Sequence, residues 1–138
     1  SRIDGELSAN GQIWLLNPNG VFIGSGGRIS AAGFLGATHA ISNADFLSGN
    51  YVLGGVGGDV VNAGQIVAAS GYALLAGRSV TNSGVIEANL GTVALGSGKA
   101  FTVDIVGDKL ISFAVTEALD GLPSETPVGN SGTIKADG

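Results

Sequence analysis

The sequence predicts an all-β chain wound as a parallel β-helix, a solenoid of about seven coils interrupted by one irregular insertion. Three observations predict it. Glycine supplies 25 of the 138 residues, about 18% against roughly 7% in an average protein. A phrase of the form Gly-x-Ile/Leu-x-Ala returns along the chain, with two of its copies 20 residues apart, which is the mark of a repeat architecture. Within and after these phrases the apolar residues alternate with the period of two that belongs to strands.

The repeat is clearest at Asn62-Ala63-Gly64-Gln65-Ile66-Val67-Ala68 and Asn82-Ser83-Gly84-Val85-Ile86-Glu87-Ala88. It returns at Asn130-Ser131-Gly132-Thr133-Ile134-Lys135-Ala136, and Gly5-Glu6-Leu7-Ser8-Ala9 is the same phrase without its asparagine. In each copy the large and small apolar residues are two apart and share one strand face, while Glu6, Ser8, Gln65, Glu87, Thr133 and Lys135 turn toward water. A second strand follows at Gln12-Ile13-Trp14-Leu15, Tyr72-Ala73-Leu74-Leu75 and Thr92-Val93-Ala94-Leu95. Helix competes poorly, because each internal glycine costs about 1 kcal/mol relative to alanine and no apolar stripe of period 3.6 lasts ten residues. Residues 114–119 are the one stretch where helix stays open.

Stacked coils place equivalent residues over one another: Ile66 over Ile86, Ala68 over Ala88, and Asn62, Asn82 and Asn130 as a ladder of side-chain amides or as turn residues. Seven coils at about 4.8 Å each make a rod on the order of 33 Å long. The step from Asn82 to Asn130 is not a multiple of 20, so residues 99–128 read as an insertion within one β-helix unit covering 1–138. Phe101-Thr102-Val103-Asp104-Ile105 and Leu110-Ile111-Ser112-Phe113-Ala114-Val115 read as an extra strand pair around Gly107-Asp108, and 122–127 as an exposed loop.

Composition excludes several classes. A hydrophobic content of 44% with only 12% charged residues is incompatible with disorder, and 3 prolines are incompatible with collagen. The net charge of −5 disfavours nucleic acid and anionic lipid as partners. The longest uncharged stretch, Val60 to Gly77, is broken by Asn62, Gln65, Ser70 and glycines, so no bilayer span is expected. Without cysteine there are no disulfides or thiolate metal sites. The start at Ser1, with no leader before it, reads as the interior of something longer.

Candidate chemistry is sparse, and no cofactor or metal is expected. The single histidine, His39, lies near Asp45 and several serines, but proximity in sequence does not make a triad. Asp4 and Glu6 are two apart on one expected strand face, roughly 7 Å, a separation that overlaps inverting glycosidases. The 8 aromatic residues provide little cleft around them, and a solvated edge is the better reading there and for Asp104 with Asp108. Gly54-Gly55-Val56-Gly57-Gly58-Asp59-Val60-Val61-Asn62 fits the calcium-binding β-roll nonapeptide, but one copy supplies half a cage and the next nine residues hold no second. Asn17-Pro18-Asn19-Gly20-Val21 has sharper meaning: proline presets φ and Asn-Gly supplies a positive φ, which together make a rigid corner.

With its flanks, from Ser1-Arg2-Ile3-Asp4-Gly5 through Trp14-Leu15-Leu16-Asn17-Pro18-Asn19-Gly20-Val21-Phe22-Ile23-Gly24, that corner resembles the secretion domain of filamentous haemagglutinin-type exoproteins. Gly33-Phe34-Leu35-Gly36-Ala37-Thr38-His39-Ala40-Ile41-Ser42, the Asn-x-Gly-x-Ile-x-Ala phrases and Val106-Gly107-Asp108-Lys109-Leu110-Ile111 extend the resemblance over nearly the whole chain. It implies a right-handed β-helix and two-partner secretion. There, a large exoprotein crosses the periplasm unfolded, and an outer-membrane β-barrel transporter, whose periplasmic domains recognise the secretion domain, exports it. Carried over by position, Asn17, Pro18, Asn19 and Gly20 form a secretion motif. The family domain has a capping portion and a second asparagine-proline motif upstream, and Ser1 starts after both. An uncapped first coil open to end-to-end association is therefore expected.

The reading is a non-enzymatic secretion and scaffold segment of an adhesin-like exoprotein, secreted or held at the bacterial surface, with the transporter as partner. The alternatives are a module that binds a host glycan or receptor through the exposed face or the 99–128 insertion, and a carbohydrate-active β-helix enzyme using Asp4 and Glu6.

Overall fold

A computed structural model describes residues 2–38, 51–53, 58–89, 91–98, 100–106, 109–117 and 128–136. Three short strands make each coil. The first is β1 (Arg2–Ile3), β2 (Glu6–Ser8) and β3 (Gln12–Leu16); the second is β4 (Val21–Ile23), β5 (Arg28–Ala31) and β6 (Gly33–Ala37). After β7 (Tyr51–Leu53) the third coil follows as β8 (Asp59–Asn62), β9 (Gln65–Ala68) and β10 (Tyr72–Gly77), and the fourth as β11 (Ser79–Asn82), β12 (Val85–Ala88) and β13 (Thr92–Ser97). The chain then makes β14 (Ala100–Val106) and β15 (Lys109–Glu117) before a fifth coil begins with β16 (Val128–Asn130) and β17 (Thr133–Ala136).

Equivalent strands stack in parallel into three sheets: β1-β4-β8-β11-β16, β2-β5-β9-β12-β17 and β3-β6-β10-β13. Five coils are found among the described residues, not about seven. Dividing the length by 20 overcounts because two stretches leave the winding: β7 and β15 flank β14 in an antiparallel sheet of their own. Residues 114–117, where helix stayed open, belong to β15.

Register turns the repeat into ladders. In the second sheet Leu7, Ile29, Ile66, Ile86 and Ile134 are aligned, as are Ala31, Ala68, Ala88 and Ala136. Ile29, Ile66 and Ile86 are wholly buried, while Leu7 and Ile134, at the two ends of the ladder, are each 37% exposed. The interior core joins these isoleucines to Val21, Ile23, Val60 and Val80 of the first sheet and to Phe34, Ala73 and Leu75 of the third.

The two middle strands of the third sheet, β6 and β10, are buried on both faces. Along β10, Ala73 and Leu75 point inward, whereas Tyr72, Leu74 and Ala76 join a second cluster with Leu35, Ala37, Phe101 and Val103. The strand of the excursion that carries Phe101 and Val103 thus covers an apolar outer face that an ordinary coil would leave to water. Tyr72 ties this second core to three coils: its ring lies over Gly33, and its hydroxyl donates to Gln12 Oε1 at 2.6 Å and accepts from Trp14 Nε1 at 2.7 Å.

Close backbone stacking explains part of the glycine content. At the corner between the first and second sheets, a Cβ built on Gly84 would collide with the Gly64 carbonyl oxygen and lie 2.8 Å from Ala63 C. Backbone cannot move aside there as a side chain could, so Gly84→Ala is expected to cost about 2 kcal/mol or more. Gly5→Ala, with nothing within 4 Å of its Cβ, is the comparison that leaves the melting temperature near wild type.

Candidate functional site: the Asn17–Gly20 corner

The corner joining the third sheet of the first coil to the first sheet of the second is the segment Asn17-Pro18-Asn19-Gly20, between β3 and β4. Its backbone closes with Gly20 N–H donating to the Asn17 carbonyl at 3.1 Å. The Asn17 side chain closes it a second time: Oδ1 accepts from Asn19 N–H at 3.0 Å, the asparagine turn that mimics a backbone one. Asn17 N–H is anchored to the Ala37 carbonyl of the coil above at 3.0 Å. Gly20 has φ +127°, a conformation that residues with a Cβ adopt only under strain. Every residue of the motif therefore has a geometric task, and Pro18 and Asn19 remain exposed at the apex.

Gly58 lies directly over the turn, where a Cβ would come within 3.0 Å of Asn19 C. Together they wall a groove on the outer face of the first sheet. Phe22 and Val61 form its floor, with Arg2 toward one end and Asp59 and Arg78 toward the other. Arg2 is held in place by Asp4, 2.7 Å from Nε to Oδ2, and stacks 4.8 Å from the Phe22 ring centre.

The three ladder asparagines end strands of the first sheet in register: Asn62 beside Asn82, and Asn82 beside Asn130. Asn62 Nδ2 donates to Asn82 Oδ1 and Asn82 Nδ2 donates to Asn130 Oδ1, each at 2.8 Å. Asn62 Oδ1 accepts from Gly64 N–H and Asn130 Oδ1 from Gly132 N–H, both at 3.2 Å, so one side chain serves ladder and turn together. Asn62 and Asn82 are wholly buried, and this chain of bonds compensates the desolvation of their amides.

The other candidates do not assemble. Asp4 and Glu6 are not on one strand: Asp4 sits in the corner after β1, pressed against Gly24 and bonded to Arg2, while Glu6 opens β2 in the next sheet. The expectation of a shared face fails because the chain bends between them at Gly5. Both are exposed. Asp59, of the nonapeptide match, is exposed at the start of β8, while Asn62 is committed to the amide ladder. Among the described residues no three His, Asp or Glu side chains gather as metal ligands. His39, Asp45, Gly54 to Gly57, Asp108, the side chain of Asp104 and residues 122–127 lie outside what the structure describes. Sequence reasoning missed the Arg2–Phe22–Arg78 groove, because its members come from four coils and no local spacing joins them.

The site is thus a doubly closed asparagine-proline corner on a parallel β-helix, with the acids Asp4 and Glu6 exposed beside it in different sheets. The family model for the TPS secretion domain matches residues 1–136, and the chain belongs to that family: it is a secretion domain of a two-partner-secretion exoprotein, a class delivered to the cell surface or the medium. It is 34% identical over 146 aligned positions to a heme/hemopexin-binding protein of Haemophilus influenzae strain Rd, covering 99% of this chain and 16% of that protein. A second Haemophilus influenzae heme/hemopexin-binding protein is 43% identical over 51 residues, covering 37% of this chain and 6% of its own length. The crystal structure of the HMW1 secretion domain from Haemophilus influenzae superposes with a TM-score of 0.77 at 31% identity, covering 94% of this chain and 35% of that one. This chain spans about a sixth of the length of the curated relative that it matches almost throughout. Among the described residues no helix is long and apolar enough to cross a membrane.

Proposed function

We propose that this segment is the non-enzymatic targeting part of its exoprotein and that the Asn17–Gly20 corner is the feature read by the periplasmic domains of the outer-membrane transporter. The observation that carries this is the double closure of the turn, by backbone and by the Asn17 side chain, which holds Pro18 and Asn19 outward in one shape. The match of residues 1–136 to a secretion-domain family supports the non-enzymatic reading.

The test is export of the longer exoprotein by its cognate transporter, with Asn17→Ala plus Asn19→Ala compared with wild type at equal periplasmic levels. Export is expected to fall at least tenfold while the protein persists in the periplasm. Unchanged export would reduce the segment to an ordinary corner.

A further inference from the structure

A feature read in the periplasm, where the exoprotein is expected to be unfolded, has to hold its shape before the coils stack. Most of the bonds described above cannot form in that state. The amide ladder joins residues 20 and 48 apart, and the three stacked sheets pair each strand with other coils. The Asn-x-Gly corners have a local side-chain bond to Gly64 or Gly132. Their backbone, however, is held by the neighbouring coil, Ser83 N–H donating to the Asn62 carbonyl and Ser131 N–H to that of Asn82.

The Asn17–Gly20 corner differs, because both bonds that close it lie inside its own four residues. Gly20 N–H reaches the Asn17 carbonyl three residues back, and Asn19 N–H reaches the Asn17 side chain two back. Asparagine at the first position, proline at the second and glycine at the fourth are the residues such a turn prefers. The ring of Pro18 fixes its φ in the unfolded chain as in the folded one. The corner at 24–27 also closes locally, Gly27 N–H to the Gly24 carbonyl at 2.8 Å, but its Gly-Ser-Gly-Gly sequence leaves an unfolded chain free to go elsewhere. Folding then changes what surrounds Asn17–Gly20. Asn17 N–H takes the Ala37 carbonyl of the second coil. From the third coil, Gly58 packs so closely that a Cβ on it would lie 3.0 Å from Asn19 C and 3.1 Å from Gly20 N, and a Cβ on Gly20 would lie 3.3 Å from the Asp59 carbonyl oxygen. One side of the turn is thereby covered by backbone.

We propose that the Asn17–Gly20 turn forms ahead of the fold, as a local structure populated in the unfolded chain, and that the transporter's periplasmic part engages it in that state, before the third coil covers its Gly58 side. This rests on the reading of the corner as the feature the transporter recognises, and it adds when the corner is read and what ends the contact. Asn17 is then a positioning residue. Its side chain sets how often the turn is formed, and the apparent affinity of a partner follows that fraction in proportion. A partner that binds the unfolded chain opposes folding for as long as it stays bound. The coils therefore close once the segment has left the transporter, and the closing of Gly58 and Asp59 over the turn discourages its return.

The experiment has two arms, both on the whole chain. In the first, the isotope-labelled chain is held unfolded in urea and followed by nuclear magnetic resonance. Wild type is expected to show a close contact between the Asn19 and Gly20 amide protons and a Gly20 amide shift that responds weakly to temperature, as a bonded amide does. Asn17→Ala should lose most of both signals, Asn17→Asp, which keeps an acceptor at that place, should recover them, and Asn82→Ala, which weakens the fold, should leave them as in wild type. In the second arm the same chains are diluted out of urea with the purified periplasmic part of the cognate transporter, and the return of protease resistance is timed. Saturating partner is expected to slow wild-type refolding about tenfold and to slow Asn17→Ala less, by the factor through which its turn signals fell. The chain folded beforehand is expected to bind that partner at least about tenfold more weakly than the unfolded chain. If the unfolded wild type lacks the turn signals, or if Asn17→Ala is slowed as much as wild type, the inference is overturned. If the folded chain binds as tightly as the unfolded one and loses that binding with Asn17→Ala, the inference is again overturned while the corner stands as a feature read on the folded domain. If the turn forms but the partner neither slows refolding nor binds the folded chain, the reading of the corner as recognised fails and the inference falls with it.

Discussion

Tyr72→Ala is expected to lower the unfolding free energy by about 4 kcal/mol, near the upper range for truncating a large buried side chain. The ring is fully buried and belongs to the cluster between the third sheet and the antiparallel excursion. Its loss leaves a void over Gly33, a residue whose lack of a side chain makes room for that ring. It also strips Trp14 Nε1 and Gln12 Oε1 of the hydroxyl they share. Tyr72→Phe separates the two contributions: it keeps the packing and removes only the hydroxyl, at an expected cost of about 1–2 kcal/mol. Denaturant unfolding checks both, and Trp14, the sole tryptophan, reports directly through its fluorescence. A Tyr72→Ala variant within 1 kcal/mol of wild type would show that the outer cluster contributes little and that the interior core alone holds the coils.

The second large effect is expected at the middle of the amide ladder. Asn82→Ala removes the acceptor of Asn62 Nδ2 and the donor to Asn130 Oδ1 in one step. Asn62 remains fully buried with only its weaker 3.2 Å contact to the Val85 carbonyl for that amide. An expected loss of about 3 kcal/mol follows from two broken ladder bonds, two longer contacts of Asn82 Nδ2 to the Gly84 and Thr133 carbonyls lost with them, and one poorly satisfied buried amide. Asn130→Ala, at the exposed end of the ladder, should cost only about 1 kcal/mol, because water reaches the groups it leaves behind. Equal effects at the two positions would mean that the ladder does not act as a chain of dependent bonds.

Much of this architecture was legible because a solenoid converts sequence period into spatial neighbourhood. Ile66, Ile86 and Ile134 share a phrase and share a ladder, and the three asparagines do likewise. The second-coil copy, Gly27-Arg28-Ile29-Ser30-Ala31, has the same form and occupies the same place in the sheet. The sequence period does not reveal it, because its spacing to the next copy is stretched by the residues around β7. Those three residues, Tyr51–Leu53, gave no periodic signal of their own. Their pairing with β14 is antiparallel and non-local, which local alternation cannot announce. The count of coils failed for the same reason. At the site, the corner was legible because proline, asparagine and glycine act locally on φ and on their own backbone. The groove was not, since Arg2, Phe22 and Arg78 meet only through stacking, and Asp4 looked like a partner of Glu6 because the bend at Gly5 carries no strong sequence mark.

On the proposed reading, the Asn17–Gly20 corner acts in export through its shape, beyond any contribution to fold stability. The most direct test measures export and unfolding free energy together for wild type, Asn17→Ala plus Asn19→Ala, Asn82→Ala and Tyr72→Ala in the longer exoprotein, at matched periplasmic levels. The corner variant is predicted to lose at least tenfold more export than the two core variants lose per kcal/mol of destabilisation. If all four proteins fall on one line of export against stability, the corner is a structural element like any other and the claim is wrong.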